Sequence, residues 1–329
     1  MQRIAFIGTG GTLAAMGTDP FDLLDYTATG QHLTAQDLIA QSGLNGQIAT
    51  IDPISFRAFD STAVTLGDWR ALAGLCEKIS ADGQHDGIVI GHGTASMEET
   101  AWCLSLLLGQ RQVPVVLTGA MRPFSAISSD GIANIAAACR VAGSPDARGH
   151  NVLLVMNNEI HAPRDVAKTD TFRVDAFRAA GFGPLGYIDG ETVRFAREMR
   201  PSLDTLRFTA NDLGAFPRVD ICYSHVDADA TAIEAFVSAG ARGIVSAGFG
   251  PGMTTPAELA ALAAAVKNGI VVVQSSRVGA GQVVDSKDHR SKGIISAGSL
   301  SPQKARILLG LCLANGDDYA AISRAFATT

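Results

Sequence analysis

Two threonines stand at equivalent places in this chain. Thr12 closes GTGGT (8–12) directly after the apolar run RIAFI (3–7), and Thr94 closes GHGT (91–94) directly after GIVI (87–90). A hydroxyl at the carboxyl end of a buried parallel strand stands where open α/β sheets bind ligands. A threonine is a weak nucleophile until a neighbour takes its proton. Lys168, in RDVAKT (164–169), is one candidate, since a desolvated lysine can accept a proton. Outside such a contact, a lone lysine in a polar stretch reads as solvated surface. His92 reads as a histidine that bonds backbone and fixes its loop. TGAMRP (118–123) also reads as structure, with Gly119 turning the chain and Pro123 stiffening it.

Other chemistries lack their residues. A dinucleotide fingerprint needs glycine at 8, 10 and 13, and position 13 is Leu13. There is no phosphate-binding GxxxxGK[ST], no HExxH, no metal-spaced His/Cys/Asp cluster and no GxSxG elbow. No cofactor and no metal are expected. Without a basic stripe and interleaved aromatics, nucleic acid is not an expected partner.

The elements that must hold these loops are legible. RIAFI, GIVI, VPVVL (113–117) and NVLLVM (151–156) read as strands buried on both faces. Helical spacing over 67–80, 96–108 and 130–142 separates them, which argues for a parallel sheet flanked by helices. LGYIDGETVRF (185–195) carries Asp-Gly between short strands and reads as a hairpin. Ser96 and Glu99 fit a capping box at the helix behind the second loop; Thr255-Pro256 with Glu258 fits another, and Ser301-Pro302 begins a third helix. The polar, aperiodic stretch near 197–220 reads as a linker. The fold class is therefore α/β: a larger N-terminal domain (1–197) with a mostly parallel sheet flanked by helices, a linker (198–217) and a smaller C-terminal α/β domain (218–329).

With 329 residues, 47% of them hydrophobic, the chain can bury two cores. The net charge of −6 is ordinary for a soluble protein. No apolar run is long enough to span a bilayer, and no secretory signal is expected ahead of QRIAFIG. Five scattered cysteines without CxxC suit core packing in a reduced compartment, so a cytoplasmic location is expected.

In order and spacing, GTGGTLA, GHGTASMEETA, TGAMRP, RDVAKT, FGPLGYIDG and the tail VVVQSSRVGAG…GSLSPQKARILLGL resemble the bacterial L-asparaginase family across nearly the whole chain. The resemblance implies a two-domain α/β fold. It also implies cofactor-free hydrolysis of a side-chain amide to acid and ammonia through a threonine acyl-enzyme. A homodimer or homotetramer is implied, with each site sharing residues between subunits. Thr12 matches the primary nucleophile, and Tyr26, in DYTATG, the tyrosine that assists it from a lid. Thr94 and Lys168 match the second threonine and its lysine. Ser61, in FDSTAV, matches the serine holding the substrate carboxylate, with Thr62 beside it counted among the binding residues. The backbone of Gly93–Ala95 falls where charge on the amide oxygen is stabilised.

Three positions depart from the resemblance. The family has HGTD where this chain has HGTA, so Ala95 replaces an aspartate that pairs with the substrate's α-ammonium. The family's asparagine falls at Met253 and its glutamate at Ser286, with Asp285 or Asp288 available to a shifted register. A buried ammonium without an anion is costly. L-Asparagine is thus the default substrate. An amide without a free α-amino group is the alternative, and a non-catalytic ligand-binding homologue is a further one. Losing an anion beside Lys168 also lowers that lysine's pKa.

Overall fold

The computed structural model describes residues 1–109, 112–197 and 208–329. The chain divides into two compact units, Met1–Arg200 and Pro201–Thr329.

The first unit is built on an eight-stranded sheet. Its parallel part is β1 (Arg3–Gly8), β2 (Thr50–Ser55), β3 (Gly87–Gly91), β4 (Val115–Thr118) and β5 (Val152–Met156). After β6 (Glu159–His161) comes a separate short ladder, β7 (Ala167–Lys168) with β8 (Phe177–Arg178). The hairpin β9 (Gly186–Asp189) and β10 (Thr192–Phe195) joins β6 antiparallel. Across the sheet the order is β10-β9-β6-β5-β4-β3-β1-β2. All residues of β3, β4 and β5 are buried, which is why each reads as an unbroken apolar run. The helices are α1 (Ala35–Ser42), α2 (Leu66–Asp82), α3 (Met97–Leu108) and α4 (Gly131–Gly143). Alternate strand residues Ile4, Phe6, Val89, Val116 and Leu153 share one core with Leu38 and Ile39 of α1 and Ile135 of α4.

The strand order reverses at β1. Its neighbours are β2 on one side and β3 on the other. Connections leaving β1 and β3 therefore diverge, and a crevice opens at their carboxyl ends. Thr12 and Thr94 follow those two strands.

Two features differ from the sequence reading. The α3 cap is not a capping box: Ser96 makes no side-chain bond to the helix. Its hydroxyl donates instead to the Ser61 carbonyl at 2.5 Å. In addition, β2 (TIDPIS) was not among the strands read from the sequence. Pro53 is tolerated because β2 is the sheet edge.

The second unit carries β11 (Val219–Tyr223), β12 (Gly243–Gly248), β13 (Val271–Ser276) and β14 (Ile294–Ser296), parallel and in that order. Its helices are α5 (Thr231–Ser238), α6 (Pro256–Lys267), α7 (Lys287–Ser291), α8 (Pro302–Ala314) and α9 (Tyr319–Thr328). The Thr255/Glu258 capping box is present on α6, and the Ser301 hydroxyl caps α8. Of the linker expected over 198–217, residues 198–207 lie outside the described residues. From 208 onward the chain is packed: Phe208 and Leu213 are buried. The Phe216 ring lies against Gly310, where a Cβ would meet Cζ at 1.9 Å. All five cysteines are buried and none is in a disulfide, four lying in helices and Cys222 in β11.

Candidate active site

Gly10 and Gly11 leave β1 with φ of 93° and 75°. This is the left-handed region, which glycine enters without a Cβ penalty. The turn delivers Thr12 to the start of a single 3-10 turn, Thr12–Ala14. A Cβ on Gly11 would lie 2.4 Å from the Gly93 Cα. The two threonine loops therefore touch backbone to backbone.

His92 fixes the second loop. It is fully buried, and burial pushes its pKa down to about 4. The ring is neutral at pH 7, so one nitrogen donates and the other accepts. Nδ1 lies 2.7 Å from the Gly93 carbonyl, which can only accept, so Nδ1 carries the proton. Nε2 then accepts from the Thr100 hydroxyl at 3.1 Å, and Thr100 accepts from Trp69 Nε1 at 2.9 Å. Every polar atom in this chain of bonds is used, and His92 holds loop geometry as the sequence reading expected. Gly119 of TGAMRP serves the same loop, though not by a left-handed turn. A Cβ there would lie 2.6 Å from the His92 carbonyl and 3.2 Å from Thr94 Cγ2. The Met121 and Arg122 amides in that loop donate to the Asp130 carboxylate at 3.0–3.1 Å.

The side chains then fall into pairs. Thr12 Oγ1 lies 3.0 Å from the Tyr26 hydroxyl, and either can donate. Tyr26 comes from a second 3-10 turn, Tyr26–Thr29. Lys168 Nζ donates to Thr94 Oγ1 at 2.9 Å. Thr94 is buried and Lys168 half-buried. Burial lowers the Lys168 pKa from its ordinary value, while Glu98 and then Asp170 oppose the shift. The Glu98 carboxylate, buried in the first turn of α3, also accepts from the Lys168 backbone N–H. Ser61 Oγ accepts from the Ala95 N–H at 3.1 Å, and a Cβ on Gly93 would lie 2.6 Å from that oxygen. Thr62 is exposed on the same turn, and the Ala95 methyl is exposed.

The remaining candidates belong to the second unit. Met253 pairs its backbone with Phe249 at 2.6 and 2.9 Å, and its side chain is exposed. Ser286 caps α7, accepting from the His289 N–H at 3.0 Å. Asp285 accepts from Arg290 Nη1 at 2.6 Å, and Asp288 pairs with Lys292. Both carboxylates near Ser286 thus have a cation of their own.

The sequence reading missed Glu98. Its signal was its place beside Glu99, the expected capping-box partner of Ser96, but the contact with Lys168 spans 70 positions. Asp130 was also missed, although Asp-Gly ahead of a helix is a start signal. Among the described residues, no group of three His, Cys, Asp or Glu side chains is arranged to hold a metal.

Comparison with known proteins matches residues 3–201 to the family model "Asparaginase, N-terminal" and residues 218–326 to "Glutaminase/Asparaginase C-terminal domain". A "Probable L-asparaginase periplasmic" of Haemophilus influenzae is 38% identical over 99% of this chain and 93% of its own. "L-asparaginase 2" of Escherichia coli is 35% identical over the same shares. The crystal structure of a probable cytoplasmic L-asparaginase from Campylobacter jejuni superposes with a TM-score of 0.93, at 36% identity, over 100% of both chains.

Proposed function

The chain belongs to the asparaginase family, and on that premise we propose how its residues carry out asparaginase-type amide hydrolysis. The observation that carries the reading is the pairing of two threonine hydroxyls at adjacent strand ends. Thr12 has Tyr26, and Thr94 has Lys168. As Thr12 Oγ attacks the amide carbonyl, its proton is relayed through the Tyr26 hydroxyl, which accepts it while releasing its own toward the departing nitrogen. Backbone N–H groups of Gly93–Ala95 face the charge growing on the amide oxygen. Because the Ala95 N–H already donates to Ser61, that serine shapes this edge of the site. The C–N bond breaks, nitrogen takes a proton and leaves as ammonia, and Thr12 holds the acyl group. Water, activated through Thr94 and Lys168, then frees the acid. Ser61 and Thr62 bind the substrate's carboxylate.

Single Thr12→Ala and Thr94→Ala variants test this by ammonia release and by mass spectrometry of the acyl-enzyme. An acyl group on Thr94 in an active Thr12→Ala enzyme would reverse the assignment.

L-Asparagine is the default substrate. A second reading, an amide with no free α-amino group, is favoured by Ala95. A methyl gives an ammonium no partner, Met253 adds none, and the Ser286 hydroxyl caps its helix. Turnover of L-asparagine against succinamate, which lacks the amino group, separates the two.

Self-association as a dimer or tetramer is part of the proposal, with sites shared between subunits; light scattering coupled to gel filtration tests it. So is a division into domains 1–197 and 218–329, and a cytoplasmic location. The location rests on five buried cysteines held outside disulfides. Among relatives, one is named periplasmic and one cytoplasmic, so cell fractionation decides.

A further inference from the structure

We propose that Thr29 is a positioning residue, whose hydroxyl fastens the segment that brings Tyr26 to Thr12. The inference rests on the reading of Tyr26 as the partner of Thr12.

The segment leaves the body of the first unit after Ala15 and returns at His32, where those two residues form a bridge. Two further bonds close its base: Met16 N–H to the Gln31 carbonyl at 3.0 Å and Leu33 N–H to the Ala14 carbonyl at 2.8 Å. Tyr26 sits on a four-residue 3-10 turn that contains no buried residue. Nearby Phe21 and Leu24 are exposed. A cavity of about 220 Å³, lined by Leu13, Ala14, His32 and Leu33 among others, borders the base. Apolar packing therefore does little to fix the turn, and a lone 3-10 turn does not hold itself.

Thr29 stands at the junction. Its hydroxyl lies 2.6 Å from the Met16 carbonyl and 3.0 Å from the Tyr26 carbonyl. Both oxygens can only accept, so the single hydroxyl proton is shared between them. The same oxygen accepts from the Gln31 N–H at 3.1 Å. One side chain thus ties the carbonyl of Tyr26 to both strands of the base. On the outer side, Gly17 N–H donates to Ser125 Oγ at 2.7 Å and Ile127 N–H to the Pro20 carbonyl at 3.0 Å. Those bonds hold the entry to the segment. At the start of the turn the Asp22 carboxylate accepts from the Asp25 and Thr18 N–H groups at 2.9 and 3.2 Å, and at its end Thr29 couples the Tyr26 carbonyl to the base.

Thr29→Val keeps the shape and removes the hydroxyl; Thr29→Ser keeps the hydroxyl. In Thr29→Val, amide hydrogen exchange over 16–33 should quicken about tenfold while the rest of the chain is unchanged. The Tm should stay within about 2 °C. For whichever of L-asparagine and succinamate is turned over faster, kcat should fall about tenfold or more, while KM stays within about threefold. Thr29→Ser should restore both. Unchanged exchange over 16–33 in Thr29→Val, a uniform rise across the chain, or faster local exchange with undiminished kcat would each overturn the proposal. Tyr26→Phe is the separate arm. Full turnover in that variant removes the premise, and the positioning role with it, and it is distinguished from failure of the fastening because exchange in Thr29→Val is read independently.

Discussion

Gly11 and Gly93 meet so closely that a Cβ on Gly11 would lie 2.4 Å from the Gly93 Cα. This contact brings the two threonine loops together at the point where the strand order reverses. Gly11→Ala must push the loops apart and must also hold φ at 75°. The expected result is a stability loss of about 2 kcal/mol or more and at least a tenfold fall in amide hydrolysis. Urea unfolding and ammonia release measure the two.

Lys168 is expected to act as a neutral base through Thr94. Burial lowers its pKa, and the Glu98 charge is the first influence opposing that shift. Glu98→Gln keeps an oxygen for the Lys168 N–H and removes the charge. The lysine then loses its proton more readily, so the rising limb of kcat/KM against pH should move to lower pH. A limb that stays in place excludes Lys168 as its source. Lys168→Met should cost on the order of a hundredfold in turnover.

Ala95→Asp should raise turnover of L-asparagine relative to succinamate by about two- to fivefold, the range of an exposed ion pair. If the ratio does not move, the methyl at 95 is not what sets substrate choice.

His92 predicts a pH dependence of stability. The unfolded chain binds a proton near the ordinary histidine pKa of 6.5, and the folded chain only near 4. Between those values the unfolded state holds more protons, so stability falls as pH drops from 6.5 to 4. The full loss is on the order of 3 kcal/mol. His92→Gln should be less stable at pH 7, because the bonds through Gly93 and Thr100 are broken. It should also show a correspondingly smaller loss between pH 7 and 4.5 in urea unfolding. An unchanged slope would show that other groups carry the acid sensitivity.

The sequence by itself determined the alternation of strands and helices, the strand-end threonine loops and the kinship. These are local. A strand buried on both faces must be apolar throughout, and a glycine pair ahead of a hydroxyl marks a turn wherever it lies. The His92 reading succeeded for the same reason, since its nearest bond is to the adjacent Gly93 carbonyl. Tertiary structure decided the partnerships. Lys168 looks like solvated surface until packing sets it 2.9 Å from a hydroxyl 74 positions away. Ser96 has the spacing of a cap, but its hydroxyl donates to the Ser61 carbonyl, 35 positions back. Gly119 reads as a turn residue, yet its missing side chain makes room for the His92 carbonyl. Periodicity and capping signals describe what each residue does with its chain neighbours. Which of them a distant loop displaces depends on the packing of β1 and β3 side by side, which no local pattern encodes.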